Sequence, residues 1–397
     1  MKQQKKLEFI ADDVFNRSKS SPYNYSLMSG KFGEILFLYY YSLINNEYQE
    51  KADMLLDELI ENISTKNLPF TSTYCNGFAG FGLGLHMLEE AGFIDGSADT
   101  LDDIDVILSY HLKKEIGKDN YDFLHGVVGI GFYFLKHYKY RPQVSLVQIK
   151  RILDYLESSA IYEEDGKYKW TMIDTYDDNK VKTNISLSHG MASIVIFLSR
   201  TLHLGIIEDN IALVKLLKGA LKFVLAQQID HSEYGSYFPN LALESIPTIV
   251  RSRLAWCYGD LGIAMALWQA GNALKDQDAI DFAKKILKFS ATRTNLVQAS
   301  VHDAGLCHGA AGVAQVFLRM GKEMQLPELY KAYEYWKDIT LRMGSHQDGV
   351  GGYKAFRAKE DEWIAFSSVL EGAAGIGFTL LSEVNSDWDE ILLLSFR

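Results

Sequence analysis

Along this chain a pattern G-x-x-G followed by an apolar run recurs, beginning at Gly30 (GKFGEILFLYY), Gly77, Gly126, Gly259, Gly309 and Gly372. A degenerate copy begins at Gly190, with Ser193 in place of the second glycine. The intervals of 47, 49, 64, 69, 50 and 63 residues describe an array with insertions. Each copy opens a segment that is apolar nearly all round, which predicts a helix buried on every side. Between them lie amphipathic stretches, such as Ile211 to Gln227, Ile280 to Phe289 and Leu326 to Met343, with apolar residues at i, i+3 and i+4. Seven inner and seven outer helices in alternation cannot each close a separate core. The expected fold is therefore all-α, a single α/α toroid over residues 1–397 with the inner helices around an axis. The low content of 6 Pro in 397 residues suits it.

Two stretches break the rhythm. Tyr162 to Ser186 carries Asp165-Gly166 between strand-like residues and reads as an inserted β segment, and His346 to Trp363, with Gly349, Gly351 and Gly352, reads as a loop or hairpin. The 51 acidic against 40 basic residues leave a net charge of −11, the wrong sign for a surface that tracks phosphates, which argues against nucleic acid as a partner. The opening MKQQKKLEFIADDVF lacks the apolar core and small-residue cleavage site of a signal peptide. Apolar runs such as Val127 to Leu135 fall short of the roughly 18 residues of a membrane span. With three cysteines too few to staple the chain, a reducing cytoplasm is the expected location.

Aligning the copies on their first glycine turns the two preceding positions into columns. Two before it stand Met28, Cys75, Leu124, Ser188, Cys257, Cys307 and Leu370; one before it stand Ser29, Asn76, His125, His189, Tyr258, His308 and Glu371. All three cysteines fall within these fourteen positions, for which chance gives a probability on the order of 10⁻⁴. Cys257 belongs to the fifth repeat, and Cys307 and His308 to the sixth. Neighbouring repeats bring their ends together, so these three soft or borderline ligands are expected to converge on one Zn²⁺, leaving a fourth tetrahedral position for water or substrate. Two thiolates and a neutral imidazole cancel the dication, so a further bound thiol can lose its proton and remain an electron-rich nucleophile. Cys75, three steps around the array from the fifth repeat, reads as a packing residue.

Other residues flank this point. His189, in the fourth repeat, suits proton transfer near the metal or simply the start of an inner helix. Asp122, four before Gly126, either orients a histidine or serves as a helix-start carboxylate. Arg253, four before Cys257, either binds an oxyanion or carboxylate or forms a surface salt bridge. Tyr258 and His125 are weaker candidates, and Glu371 reads as a helix-start anion.

Through these residues the chain resembles the lanthionine synthetase C-like family. The resemblance rests on Trp256-Cys257-Tyr258-Gly259 and Cys307-His308-Gly309, supported by Ser188-His189-Gly190, Tyr121-Asp122 before His125-Gly126, and Leu370-Glu371-Gly372. It implies a seven-fold α/α toroid with one zinc on Cys257, Cys307 and His308. It also implies a reaction in which a cysteine thiol of a ribosomally made precursor peptide adds to a dehydroalanine or dehydrobutyrine of the same peptide. By that resemblance the acid/base histidine falls on His189, the aspartate on Asp122 and the arginine on Arg253. Seven repeats use up the length, so the dehydrated precursor is expected from a separate dehydratase, with an export transporter as a further partner. The departures are Ser193 and His125, the latter where the family often has a small or apolar residue. Other readings keep the fold but change its use: addition of glutathione or another small thiol, or a non-catalytic binding module. A sugar-cleaving toroid needs a facing carboxylate pair, and the columns offer only Glu371 with Asp122 nearby.

Overall fold

The computed structural model describes residues 2–20, 24–65, 70–174 and 180–396. Its long helices come in pairs, one pair per repeat: α1 (Lys2–Ser20) and α2 (Lys31–Tyr41), α3 (Glu47–Thr65) and α4 (Phe78–Glu90), α5 (Ala98–Gly117) and α6 (Val127–His137), α7 (Pro142–Ser159) and α8 (Met191–His203). The series continues with α9 (Ile211–Leu225) and α10 (Asp260–Leu274), α11 (Gln277–Ser290) and α12 (Ala310–Met324), and α13 (Pro327–Met343) and α14 (Ala373–Leu381). The even-numbered helices are the expected inner ones. Each is N-capped by the first glycine of its repeat, and α2 and α14 bury every residue they contain. The odd-numbered helices bury one stripe. In α11 it is Ala279, Ala283, Ile286, Leu287 and Ser290, and the Asp276 carboxylate accepts the Ala279 N–H to start the helix.

Packing groups the chain into two compact units, Met1–Leu108 with Val301–Ser395, and Ser109–Ser300 with Phe396–Arg397. In the first, α12 packs on α14, α14 on α2, and α2 on α4, so the last repeat lies against the first. In the second, α6 packs on α8 and α8 on α10.

The glycine pattern has a steric cause. A Cβ at the second glycine would sit 2.0 Å from the Leu27 carbonyl oxygen at Gly33, 1.8 Å from that of Leu306 at Gly312, and 1.9 Å from that of Val369 at Gly375. The carbonyl tucked against the helix fixes a trans peptide plane whose N–H, that of the cysteine-column residue, must point the other way. It donates to the same column in another repeat: Cys307 to the Leu370 carbonyl (2.9 Å), Leu370 to Met28 (2.8 Å) and Met28 to Cys75 (3.1 Å). In the second unit Ser188 donates likewise to Cys257 (3.2 Å). Gly312→Ala is thus expected to destabilise the chain by about 1–3 kcal/mol, the usual cost of overpacking. Urea unfolding measures this, and an unchanged midpoint would contradict it. In repeat four the Ser193 hydroxyl donates to the Gly190 carbonyl (2.8 Å), which places its side chain inside the first helical turn.

The expected β segment contains β1 (Ile161–Tyr162) paired antiparallel with β2 (Tyr168–Lys169), and β3 (Met172–Asp174) with β4 (Lys180–Lys182). Residues 175–179 of it lie outside the described residues. Trp170 anchors it, buried, with its indole N–H donating to the Leu156 carbonyl (3.0 Å). The later glycine-rich stretch holds a second hairpin, β5 (Ala355–Arg357) with β6 (Glu362–Ile364). No described helix is long and apolar enough to cross a membrane.

Candidate functional site

Each inner helix is preceded by a tight loop, and its polar side chains recur by position. Six residues before the first glycine stand Asn24, Thr71, Asn120, Asn184 and Asp303 in five of the repeats. In each, the side-chain oxygen accepts the N–H two residues on: Ser26, Thr73, Asp122, Ser186 and Gly305. These are Asx- and ST-turns. Of this column only Arg253, in the fifth repeat, is among the residues singled out from the sequence, and no such turn forms there; the turn-forming types themselves are readable in the sequence.

Four residues before the glycine a second side chain caps the loop. Thr73 Oγ1 accepts the Asn76 N–H (3.2 Å), Ser186 Oγ that of His189 (3.2 Å), and Asp122 Oδ1 that of His125 (2.8 Å). Thr and Ser have a single side-chain oxygen, and it sits at the cap. Asp122 has another, and its Oδ2 lies 2.7 Å from His189 Nδ1. The two alternatives for Asp122 are therefore both realised, one by each oxygen. The His189 ring is 29% exposed and the Asp122 side chain 11%, so the pair is sheltered yet reachable. Burial pulls the imidazole pKa down, but the Asp122 hydrogen bond and charge, with a contribution from Cys257, outweigh it and hold His189 above its ordinary value. The His125 ring lies 6.0 Å away and nearly parallel, and burial holds it below the ordinary value. Tyr258 stands on the other side, 6.2 Å from His189 between ring centres, its hydroxyl accepting from Asn184 Nδ2 (3.2 Å). Tyr121, beside Asp122, reaches the Trp170 carbonyl, so the β segment braces this loop.

Cys257 stands just before α10, and Cys307 and His308 stand side by side just before α12, the next inner helix. Cys257 is buried, and Cys307 and His308 are partly exposed. Two sulfurs and an imidazole nitrogen form a donor set that suits Zn²⁺. Cys75 is buried and lies outside this group. Asp303 holds the Cys307 loop at two points, accepting the Gly305 N–H (2.9 Å) and the Phe356 N–H of β5 (2.9 Å). Glu371, at the start of α14, forms a two-point ion pair with Arg357, at 2.8 and 2.6 Å.

The Cys257 loop departs from the others. Arg253 occupies the turn-forming column, and Gly259 has φ +83°, ψ −156°, a region open only to glycine. The following Asp260 is fully buried and takes over the closing role. Its carboxylate accepts the N–H groups of Tyr237 and Phe238 and sits 3.3 Å from Arg293, whose other nitrogen donates to the Ser252 carbonyl. Burial pushes the Asp260 carboxyl up, to about 6, against the lowering influence of Arg293. Arg253 itself is half-buried and is not among the hydrogen-bond partners of Asp122 or His189.

A family model described as lanthionine synthetase C-like protein matches residues 21–393. Nisin biosynthesis protein NisC of Lactococcus lactis subsp. lactis is 24% identical over 329 residues, covering 77% of this chain and 76% of that protein. The solved structure of nisin cyclase superposes with a TM-score of 0.78 at 20% identity, over 98% of this chain and 97% of that one. Its fold is an α/α toroid, the class that the seven repeats predict. With the family pattern matched over nearly its whole length, the chain belongs to the lanthionine synthetase C-like family.

Proposed function

We propose that this chain is a zinc-dependent lantibiotic-type cyclase, closing lanthionine or methyllanthionine rings by adding cysteine thiols of a dehydrated precursor peptide to its dehydroalanine or dehydrobutyrine residues. The observation that carries the reading is that Cys257 and the adjacent Cys307 and His308 stand at matching places before two successive inner helices, in a chain similar to NisC. Zinc held by these three would supply acidification of a substrate thiol at a fourth position. The remaining steps belong to side chains of the protein. A sulfur–carbon bond forms at the β-carbon of the dehydro residue, the thiol proton leaves, and the α-carbon gains a proton. His189 is the group that manages this proton. With Nδ1 on Asp122, its Nε2 is left to face the substrate, and the charge of Asp122 favours the protonated form that donates. Arg253 is the group proposed to bind the carbonyl oxygen on which charge develops, and its loop supports this, because it does not spend its side chain on the turn that five other repeats close there.

Cobalt substitution separates this reading from a metal that only stabilises the fold. A dehydrated, Cys-containing peptide should raise the sulfur-to-metal charge-transfer absorption, and its Cys→Ser form should not. An unchanged spectrum with a peptide that is nonetheless cyclised would remove the thiol from the metal.

A further inference from the structure

His125 and His189 stand at the same place, one before the first glycine, on the loops that open α6 and α8, and those two helices pack together. Their rings lie 6.0 Å apart between centres and 20° from parallel. Side chains fix the backbone of each loop. The His125 N–H donates to Asp122 Oδ1 (2.8 Å) and its carbonyl accepts from Asn120 Nδ2 (2.9 Å), while the His189 N–H donates to Ser186 Oγ (3.2 Å). The two imidazoles are used differently. His189 commits Nδ1 to Asp122, whereas His125 is exposed and its ring nitrogens have no hydrogen-bond partner among the described residues. An imidazole held in place by its backbone, with both nitrogens free and water at hand, is suited to carrying protons. His125 also stands where the family often has a small or apolar residue, so whatever it does is a feature of this chain.

Cyclisation creates a need for such a group. As sulfur bonds to the β-carbon, the carbon–carbon π pair moves to the α-carbon, and that carbon takes its proton from His189 Nε2. The thiol has already lost its own proton to water, so atoms and charge balance over a turnover, but His189 is left neutral. Nδ1 faces Asp122, so the replacement must arrive at Nε2. We propose that His125 recharges His189 between turnovers, taking a proton from water and passing it to Nε2. The 6.0 Å between ring centres is a span that one bridging water closes. Coupling between the rings gives the transfer its timing. Partial desolvation lowers the His125 pKa, Asp122 opposes this, and a charge on His189 lowers it further. His125 therefore takes up a proton most readily when His189 has just spent its own. The proposal deepens the cyclase reading, on which it rests for the reaction, by assigning a residue that acts through His189.

The test uses the zinc-loaded full chain, a dehydrated peptide with one cysteine and one dehydroalanine, and rapid quenching at about pH 8 in dilute HEPES, where free protons are scarce. With peptide in excess, His125→Gln and His125→Ala should each close one ring per chain at the wild-type rate and then slow at least about 10-fold, a burst that the wild type lacks. The burst height counts folded, active chains, so misfolding is not mistaken for a lost relay. Raising the HEPES concentration at constant ionic strength should restore the slow phase of both variants and leave the wild type unchanged, because a buffer acid can recharge His189 in place of His125. A ring that only packed against His189 would slow the first turnover as well, and buffer would not help. Wild-type turnover in both variants, or a first turnover slowed as much as the later ones and unmoved by HEPES, would overturn the relay. A wild type that closes no ring would instead overturn the cyclase reading, and the relay with it.

Discussion

Replacing Cys307 by alanine is expected to leave the chain folded with well under one equivalent of zinc, and to lower cyclisation by at least about 10²-fold. The loop should survive because its position does not depend on the sulfur. The Cys307 N–H is held by the Leu370 carbonyl, the preceding carbonyl by the space over Gly312, and the loop by both oxygens of Asp303. What remains at the site is one thiolate and one imidazole, too few to retain the ion through dialysis. Elemental analysis beside far-UV circular dichroism tests both halves, and a folded variant that keeps a full equivalent would remove Cys307 from the ligand set.

His189→Asn is expected to keep zinc and lose at least about 10²-fold in cyclisation rate. Asn retains a polar group beside Asp122 but cannot carry a proton to a carbon. Asp122→Asn should give a comparable loss, with an additional signature. Burial alone would lower the His189 pKa, and the hydrogen bond and charge of Asp122 are what raise it. Removing the charge should therefore move the imidazole titration, followed by NMR, to lower pH. The sign for stability follows from the same shift. A histidine whose folded-state pKa lies above its ordinary 6.5 contributes fully below that value, and the contribution fades as pH rises through the raised one. The wild type should thus lose more stability than Asp122→Asn between mildly acidic and mildly alkaline pH. A cyclisation rate untouched by His189→Asn would remove the histidine from the mechanism.

Much of the site was legible because a repeat turns sequence position into spatial position. The two columns before the glycine marked Cys257, Cys307 and His308, which stand at matching places before equivalent helices. The same alignment carried two more columns, the turn-forming side chains at Asn24, Thr71, Asn120, Asn184 and Asp303 and the caps at Thr73, Asp122 and Ser186. Their meaning lies in hydrogen bonds to backbone N–H groups, which residue types suggest but do not establish.

By itself the sequence determined the helical array, since burial on every side and close approach of a carbonyl are demands that apolar runs and paired glycines record locally. It also determined which positions hold soft ligands. The tertiary structure decided what each side chain does with atoms to spare. Asp122 and His189 are 67 residues apart, and only packing shows that one oxygen caps a loop while the other reaches the imidazole. Likewise the positive φ of Gly259 and the burial of Asp260 depend on how the fifth loop closes against Tyr237, Phe238 and Arg293. The physical reason is range. Steric and apolar demands act over a helical turn and leave a periodic trace, whereas hydrogen bonds and charge pairs join residues whose separation in the chain carries no regular pattern.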